Sequence, residues 1–431
     1  MKTMRGVLGV LMALIIGISF YADFRNPFSS REIPGFDGRL RLNEVEVLRM
    51  GINPFDILSG KIYPPQGYIA GNHLVNEKWD VKPIGHKEVH TYTPWSYSFI
   101  LPFSFMPRIV SGRIFWCIDT LALAAIIAFA FGIGYGLRRC WLDGVFVGAA
   151  AICLGNPFPV NSDLNNYSTL LVLAALTMCW CLNKKKDVLA GFCWALMMVK
   201  PHFGILFAIP IVLERRWKTV VVAVSTCVIL SIPPALMCHT PPWEMVLNVV
   251  DKKGAGFCFQ WTGFFPAQVF AFLAKFMDGQ LVSGISMAMG VSMLAIMMWK
   301  IRKGGVPMEP FGGFYLLCIP VALTSPMWLY SQFQDATILS FMQIALACAI
   351  IQATDNKAKM LLAVVLLLNA SRIFISVRGW FGTYSGYLTV LCHGVKEIAY
   401  VGSVAVVMSG ILSHEASGSY VPEAWRKIGK R

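Results

Sequence analysis

Asp23 and Arg25 are the first residues in this chain whose types and position are suited to chemistry. They open a polar loop of about ninety residues, between an apolar span that ends near Tyr21 and another that begins near Arg113. A carboxylate just outside a membrane can meet a substrate that is itself anchored in lipid. The loop therefore predicts chemistry at the outer face of a membrane.

Lys200 is the second candidate, because it interrupts an apolar interval, residues 187–213, that has basic clusters at both ends. A single crossing would place one of these clusters on the wrong side of a membrane, so the sequence predicts two short helices that meet near Lys200 and Pro201. Proline lacks a backbone N–H and tends to end the preceding helix, which suits a break there. The lysine either binds an anion in a cavity or extends its ammonium to the interface, and both interpretations stay open.

The composition indicates a membrane protein. Of the 431 residues, 56% are hydrophobic and only 14% are charged, and the mean hydropathy is +0.60. Many apolar runs are long enough to cross a bilayer. The net charge of +14 would suit nucleic acid, but the basic residues form short clusters between apolar runs, where they act as topology signals. Membrane lipids are therefore expected partners, and nucleic acid is not.

These patterns predict an all-α fold, a bundle of about twelve membrane-embedded helices with both termini in the cytoplasm. Ten full spans are expected at residues 5–22, 112–137, 141–156, 168–183, 217–238, 281–300, 309–329, 335–352, 358–376 and 391–413, and the broken pair at 187–213 adds two short helices. The predicted parts are a first transmembrane helix acting as an uncleaved signal anchor (1–22), an extracytoplasmic loop (23–111), a multi-span domain (112–413) and a basic cytoplasmic tail (414–431).

The first loop contains two segments with helical signals. The segment from Leu42 to Met50, apolar at every third or fourth position, predicts a short amphipathic helix that lies on the membrane and is closed by Gly51 and Pro54. Prolines punctuate the apolar segment 98–106, which predicts a re-entrant or interfacial helix packed under the loop. The loop should thus form a small extracytoplasmic subdomain.

Several kinds of site are not predicted. The sequence has no Gly-rich phosphate loop followed by Lys and Ser or Thr, so ATP-driven transport has no support. Nearly all of the twelve cysteines fall within predicted spans, and none has paired metal-ligand spacing. Neither a disulfide framework nor a metal site follows, and no cofactor is predicted.

A series of short motifs follows the first span. In order they are Asp23-Phe24-Arg25-Asn26, Leu48-Arg49-Met50-Gly51-Ile52-Asn53-Pro54-Phe55-Asp56, Tyr92-Thr93-Pro94, Leu101-Pro102-Phe103, Met106-Pro107, Ala190-Gly191, Val199-Lys200-Pro201, Arg215-Arg216-Trp217 and Ser325-Pro326. This order resembles the GT-C superfamily of membrane glycosyltransferases, and within it glycosyltransferase family 87, the polyprenol-phosphate-mannose-dependent mannosyltransferase type. The resemblance is best over residues 1–220.

The resemblance implies an inverting glycosyltransferase that takes a sugar, a mannose-like hexose or a pentose, from a polyprenyl-phosphate donor. The acceptor would be a lipid-linked or cell-envelope glycan at the outer face of the bacterial cytoplasmic membrane, and an Asp would act as general base. The departing phosphate needs positive charge as its own charge develops. The implied cations are Arg25, Lys200, Arg372 and Arg378.

Two aspartates match the role of base that the resemblance implies. Asp23 directly follows the first span, whereas Asp37 lies fourteen residues before Gly51, the spacing expected of the family. A structural role for both, as a helix cap or in a pair with nearby arginines, is the third interpretation.

Other polar residues are implied to contact the substrates. The family histidine that follows Ser-Pro is absent here, and the residues in its place are Tyr330 and Gln332, which hydrogen-bond but do not titrate near neutral pH. His202 is one replacement for it. Asn165 and Asn166 lie in a short outer loop where sugar contact and a solvated turn are both open interpretations.

A function without bond chemistry remains open on the sequence alone. A transporter or flippase for a lipid-linked saccharide would use the same groove and the same phosphate-binding cations, and broken helices with a charge inside the membrane are a transporter device. A polysaccharide polymerase is a third possibility, disfavoured because the large outer loop falls early in this chain.

Overall fold

The computed structural model describes residues 36–58, 92–154, 158, 166–252, 279–304, 306–307, 318–322, 324, 337–352, 356–370 and 419–420. Most of them form helices, and the strands among them are a two-residue antiparallel pair, β1 (Val306–Pro307) with β2 (Ser419–Tyr420). The earlier helices are α1 (Phe36–Arg49), α2 (Pro54–Leu58), α3 (Pro94–Ile100), α4 (Arg108–Arg138), α5 (Trp141–Ile152), α6 (Ser168–Asn183) and α7 (Asp187–Met197). The later ones are α8 (Pro201–Gly204), α9 (Ala208–Leu213), α10 (Trp217–Met237), α11 (Pro242–Lys252), α12 (Gly279–Gly304), α13 (Ser340–Gln352) and α14 (Asn356–Ala370), with 3-10 turns at Leu101–Phe105 and Ile205–Phe207. The all-α class is confirmed.

Two of the described helices are long and apolar enough to cross a membrane. They are Ile109–Arg138, in α4, and Trp217–Met237, which is α10. Large apolar side chains on α10, such as Val221 and Val228, remain more than half exposed, as expected where a helix faces lipid. The bundle of about twelve helices remains a prediction, since the expected spans at 5–22 and 391–413 lie outside the described residues.

The interval 187–213 folds as the broken hairpin that its sequence predicts. α7 ends three residues before Lys200, which has extended backbone, and α8 begins at Pro201. α9 then returns the chain, and Arg216 Nη1 lies 3.5 Å from Asp187 Oδ1. The interval therefore enters and leaves the bundle at the same end.

The described helices form a bundle with two distinct ends. At the first, which we call the cap end, α1, α2 and α3 pack with α11 and the last turn of α10 in an apolar cluster of Leu42, Val45, Leu48, Phe55, Tyr97, Ile100, Ala235, Cys238 and Met245. At the second, the basic end, residues 184–186 and 215–218 come together, and Arg216 Nη2 donates to the Leu182 carbonyl at 3.3 Å. The helix α4, which starts beside the cap cluster with Phe115, runs toward this end and finishes at Arg138. α6 connects the two ends over about 24 Å, from its 16 residues.

The first-loop helix α1 is buried inside the protein rather than lying on a membrane surface, so that prediction is wrong. Every residue from 41 to 48 is buried. The apolar residues pack in the cap cluster, and between them Arg41 and Glu44 are buried as an ion pair. The predicted stop at Gly51 is confirmed: its φ is +79°, and Ile52 N donates to the Val47 carbonyl at 3.2 Å.

The predicted interfacial segment at 98–106 is helical, as α3 and the 3-10 turn that follows it. It docks on the part of α10 that contains Pro233 and Pro234. Pro234 has no N–H to donate to the Leu230 carbonyl four residues earlier, and the Ser98 hydroxyl donates to that carbonyl instead. The contact fixes α3 against the helix beside it.

Candidate functional site

Lys200 is buried at the cap end, with 2% of its surface exposed. Its Nζ donates to Asn166 Oδ1 at 2.7 Å and to Ser168 Oγ at 2.8 Å, and it lies 5.7 Å from the centre of the Tyr167 ring. Both of these acceptors are neutral oxygen atoms. The ammonium is bonded inside the protein, which rules out the interpretation that it extends to the water interface.

Asn166 organises the start of α6 around this ammonium. Besides Lys200, its Oδ1 accepts from the backbone N–H of Ser168 at 3.2 Å and from the Ser168 hydroxyl at 3.0 Å. Ser168 is the first residue of α6, and the unsatisfied N–H groups of a helix start carry partial positive charge. A full and a partial positive charge therefore lie side by side, an arrangement that favours an anion.

Two indole N–H groups hold the hairpin break that carries Lys200. Trp95 Nε1, on α3, donates to the Met198 carbonyl at 2.8 Å, and Trp194 Nε1, on α7, donates to the Gly204 carbonyl at 3.0 Å. The two carbonyls lie on either side of the break, Met198 directly after α7 and Gly204 at the last residue of α8. One of these bonds comes from α3 in the first loop and the other from α7, so both hold the backbone around Lys200 in a defined position.

A buried ion pair on α1 lies in the same cap. Arg41 Nη1 donates to Glu44 Oε1 at 3.0 Å, and their side chains are 5% and 0% exposed. The Arg41 guanidinium stacks on the Tyr92 ring, with its central carbon 3.2 Å from the ring centre. The Tyr92 ring meets the Tyr167 ring edge-on at 6.3 Å between centres. An unbroken series of contacts therefore joins Glu44 and Arg41 to the lysine cluster.

Tyr97 packs in the cap cluster and links α3 to the residue that precedes its start by two positions, Tyr92. Its hydroxyl oxygen accepts from the backbone N–H of Tyr92 at 3.1 Å. Burial, and then the nearby Glu44 carboxylate, raise the pKa of Tyr97 well above its usual value. The hydroxyl therefore stays protonated at any physiological pH and keeps its hydrogen-bonding role.

The arrangement can bind an anion beside a set of aromatic rings. Two cations, Arg41 and Lys200, lie on either side of Tyr92 and Tyr167, and Glu44 supplies a carboxylate. Tyrosine rings and hydroxyls suit sugar recognition, because they combine an apolar face with a polar edge. Phosphate and sugar are thus the chemical groups that these side chains fit best.

The structure brings together two of the residues that the sequence predicts, Lys200 and Asn166. Asp37 is the second residue of α1, and His202 lies in α8 directly after Pro201. The other predicted site residues lie outside the described residues: Asp23, Arg25, Asn165, Tyr330, Gln332, Arg372 and Arg378.

Sequence reasoning missed Arg41, Glu44, Tyr167 and Ser168. Tyr92 stands in a motif that the sequence singles out, but its contact with Arg41 is not readable from spacing. Ser168 has a signal in the sequence, because it is the polar residue at which the apolar run of α6 begins. Arg41 and Glu44 carry no comparable signal, because charged residues between apolar positions usually mark a solvated helix face.

Among the described ranges, no group of three or more His, Cys, Asp or Glu side chains is placed to hold a metal ion.

Comparison with known proteins gives one match. The model of glycosyltransferase family 87 matches residues 90–326, which is more than half of the 431 residues. The matched region contains the lysine cluster and Tyr92, whereas α1, with Arg41 and Glu44, precedes it. No curated protein and no solved structure matches the chain.

Proposed function

This chain belongs to glycosyltransferase family 87, and on that basis we propose that it transfers a sugar from a polyprenyl-phosphate donor to a lipid-linked or cell-envelope glycan at the outer face of a membrane. The family supports the glycosyltransferase activity, and the apolar helices support a membrane protein. The donor, the acceptor and the side of the membrane are the parts that we propose here.

The observation that carries the proposal is the buried ammonium of Lys200 at the start of α6. A polyprenyl phosphate bridges lipid and water and carries negative charge next to the sugar, so it needs a cation at the membrane surface that is shielded from solvent. Lys200, fixed by Asn166 and Ser168 beside a helix N-terminus, offers such a cation. Arg41, across Tyr92 and Tyr167, is a second positive charge within the same cap.

The proposed reaction is a single displacement at C1 of the donor sugar. The acceptor hydroxyl oxygen bonds to C1 while the bond between C1 and the phosphate oxygen breaks, and the electron pair of that bond leaves with polyprenyl phosphate. A carboxylate takes the hydroxyl proton, and the cations stabilise the charge that develops on the phosphate. Because the acceptor attacks from the side opposite the phosphate, the configuration at C1 is inverted.

Three carboxylates are candidates for the base. Asp23 and Asp37 follow from the sequence, and Glu44 follows from its position beside Arg41 and Tyr97. The ion pair with Arg41 holds the Glu44 carboxylate in place. We favour Asp23 as the base and assign Glu44 to positioning Arg41.

The location of the basic clusters supports an extracytoplasmic site. Residues 138–139, 184–186 and 215–218 lie at the end opposite the lysine cluster, and basic residues flanking spans favour the cytoplasmic side. The cap end, with the first-loop helices, would then face the outside. This orientation places Lys200 on the side where a translocated polyprenyl-phosphate sugar is available.

The experiment is a transfer assay on the purified full-length protein with polyprenyl-phosphate mannose or glucose as donor and an extract of lipid-linked glycans as acceptor. Asp23→Asn, Asp37→Asn and Glu44→Gln are compared with wild type, and Asp56→Asn in α2 is the matched control. Loss of the base should reduce turnover about a hundredfold or more while donor binding survives. If only one variant behaves in this way, that carboxylate is the base.

A second function has one structural observation in its favour, the broken hairpin formed by α7 to α9. Transporters place a substrate site at such interruptions. The same donor distinguishes the two functions. A flippase would bind the polyprenyl-phosphate sugar and move it between the leaflets of a vesicle without ever cleaving it. If the wild-type protein behaves in this way, the transferase proposal is wrong.

A further inference from the structure

A groove of about 370 Å³ opens at the basic end, about 24 Å from the lysine cluster along α6. It lies where the turn after α6 meets the first turns of α7 and α10. Its lining includes three lysines, one carboxylate and exposed apolar side chains: Lys185, Lys186, Lys218, Asp187, Leu189 and Phe192. The predicted catalytic machinery contains none of these residues.

The charge in this groove is positive. The Asp187 carboxylate is already bonded, to Arg216 Nη1 at 3.5 Å and to Thr219 Oγ1 at 3.4 Å. Among the described residues, none of the three lysines has an ion-pair partner. The groove is therefore suited to an anion.

The walls of the groove are apolar and continue along the neighbouring helices. Leu189 and Phe192 are about half exposed on α7, and Val221 and Val224 are more than half exposed on α10. Trp180 and Trp217 are also exposed at this level, and Lys186 Nζ lies 4.7 Å from the centre of the Trp180 ring. Tryptophan and lysine together mark the level of lipid headgroups.

Lys185 has a backbone conformation that favours glycine. Its φ is +58°, at the end of α6, where Lys186 N donates to the Cys181 carbonyl at 2.7 Å. Glycine would adopt this conformation without the strain that a side chain brings. The charge at this position therefore comes with a conformational cost, although the helix end also favours a cation.

We propose that this groove binds the headgroup of an anionic phospholipid, with its acyl chains along the exposed faces of α7 and α10. A soluble phosphate would use the lysines alone, whereas an anionic phospholipid uses the lysines and the apolar walls together. The amphiphilic lining therefore favours the lipid. The site is separate from the donor site and does not depend on the proposed transfer reaction.

The test measures phosphatidylglycerol bound to the full-length protein in detergent by native mass spectrometry, with phosphatidylcholine as the neutral reference. The groove variant is Lys185→Gln, Lys186→Gln and Lys218→Gln combined. The matched control removes three charges from the same end outside the groove lining, as Arg139→Gln, Lys184→Gln and Arg215→Gln combined. The groove variant should lose roughly ten- to a hundredfold in affinity for phosphatidylglycerol and the control less than threefold, because each lysine near a headgroup contributes separately.

Three results would overturn the proposal. Equal losses in the two triple variants would mean that only the overall charge of the basic end matters. Equal wild-type affinities for the anionic and the neutral lipid would exclude headgroup recognition. Competition by glycerol 3-phosphate at the concentration where phosphatidylglycerol binds would show an anion site without a lipid component. If the triple variant does not fold, Phe192→Ser serves instead, and it should weaken phosphatidylglycerol binding without changing that of glycerol 3-phosphate.

Discussion

The positive charge of the lysine cluster lies on Lys200, whose ammonium donates to Asn166. Asn166→Asp keeps Oδ1 as an acceptor but adds a carboxylate within 2.7 Å of the ammonium. We expect donor binding to weaken by about tenfold or more, because the new charge neutralises the lysine, while the melting temperature is unchanged or higher. Binding of polyprenyl-phosphate sugar and thermal unfolding in detergent measure the two effects.

Asn183→Asp is the control for that substitution, since it adds the same charge at the other end of α6. It should leave donor binding at the wild-type level. Donor binding that is equally strong in Asn166→Asp would show that the phosphate does not depend on the charge of Lys200.

The two ion pairs Arg41–Glu44 and Arg216–Asp187 should differ in their contribution to stability. Glu44→Gln removes one charge from a pair whose side chains are 5% and 0% exposed, and we expect a cost of about 3 to 5 kcal/mol. Asp187→Asn breaks a pair whose side chains are 24% and 21% exposed, and we expect about 1 kcal/mol or less. The free energy of unfolding in mixed micelles measures both. Costs of similar size would mean that the cap does not isolate Arg41 from solvent.

At the scale of the helices, Gly191 sets the approach of α7 to α10. A Cβ on Gly191 would lie 2.6 Å from Val222 Cβ and 2.9 Å from the Thr219 carbonyl oxygen. Gly191→Ala should therefore force the helices apart and destabilise the protein by about 1 to 3 kcal/mol. Gly132→Ala is the control, because nothing lies within 4 Å of its Cβ, and it should be neutral or stabilising by about 0.5 to 1 kcal/mol. Thermal unfolding of both variants decides whether the close approach is required.

The hydrogen bond from Ser98 to the Leu230 carbonyl makes α3 depend on a proline in α10. Ser98→Ala should cost about 1 to 3 kcal/mol, since it leaves that carbonyl without its donor. In a Pro234→Ala background the new backbone N–H can donate to Leu230, so the same substitution should cost much less. A double-mutant cycle on the free energy of unfolding measures this coupling. Additive effects would contradict the compensation.

Several elements are predictable from sequence because one local property determines them. Apolar length alone identifies α6 and α10, and the position of basic clusters together with Pro201 predicts the hairpin break. α1 shows where this fails: its spacing of apolar residues is correct, but the burial of Arg41 and Glu44 depends on Tyr92, some fifty residues later. α11 is a different case, because its sequence carries local helix signals, Pro242 at the first position and Glu244 in the first turn. Long-range partners of polar residues are not encoded in local periodicity.

At the scale of the whole molecule, the hairpin of α7 to α9 contributes no net crossing, whereas α10 contributes one. Reporter fusions after Lys186 and after Arg216 should therefore report the same side of the membrane, and a fusion after Lys252 should report the opposite side. Phosphatase and fluorescent-protein reporters, which are active on opposite sides, measure this. A change of side between Lys186 and Arg216 would exclude the hairpin as a re-entrant element.

The bond between Ser98 and Leu230 also bears on how the chain assembles. Ser98, the donor, is synthesised 132 residues before Leu230, the acceptor. The residues of α3 have therefore left the ribosome before those of α10. Until the two meet, the Leu230 carbonyl has no N–H from Pro234 to pair with, and lipid offers no water to replace it. The Leu230 carbonyl therefore gains its hydrogen-bond donor only after α10 docks on α3, and the cap acts as a template for the helix that arrives later.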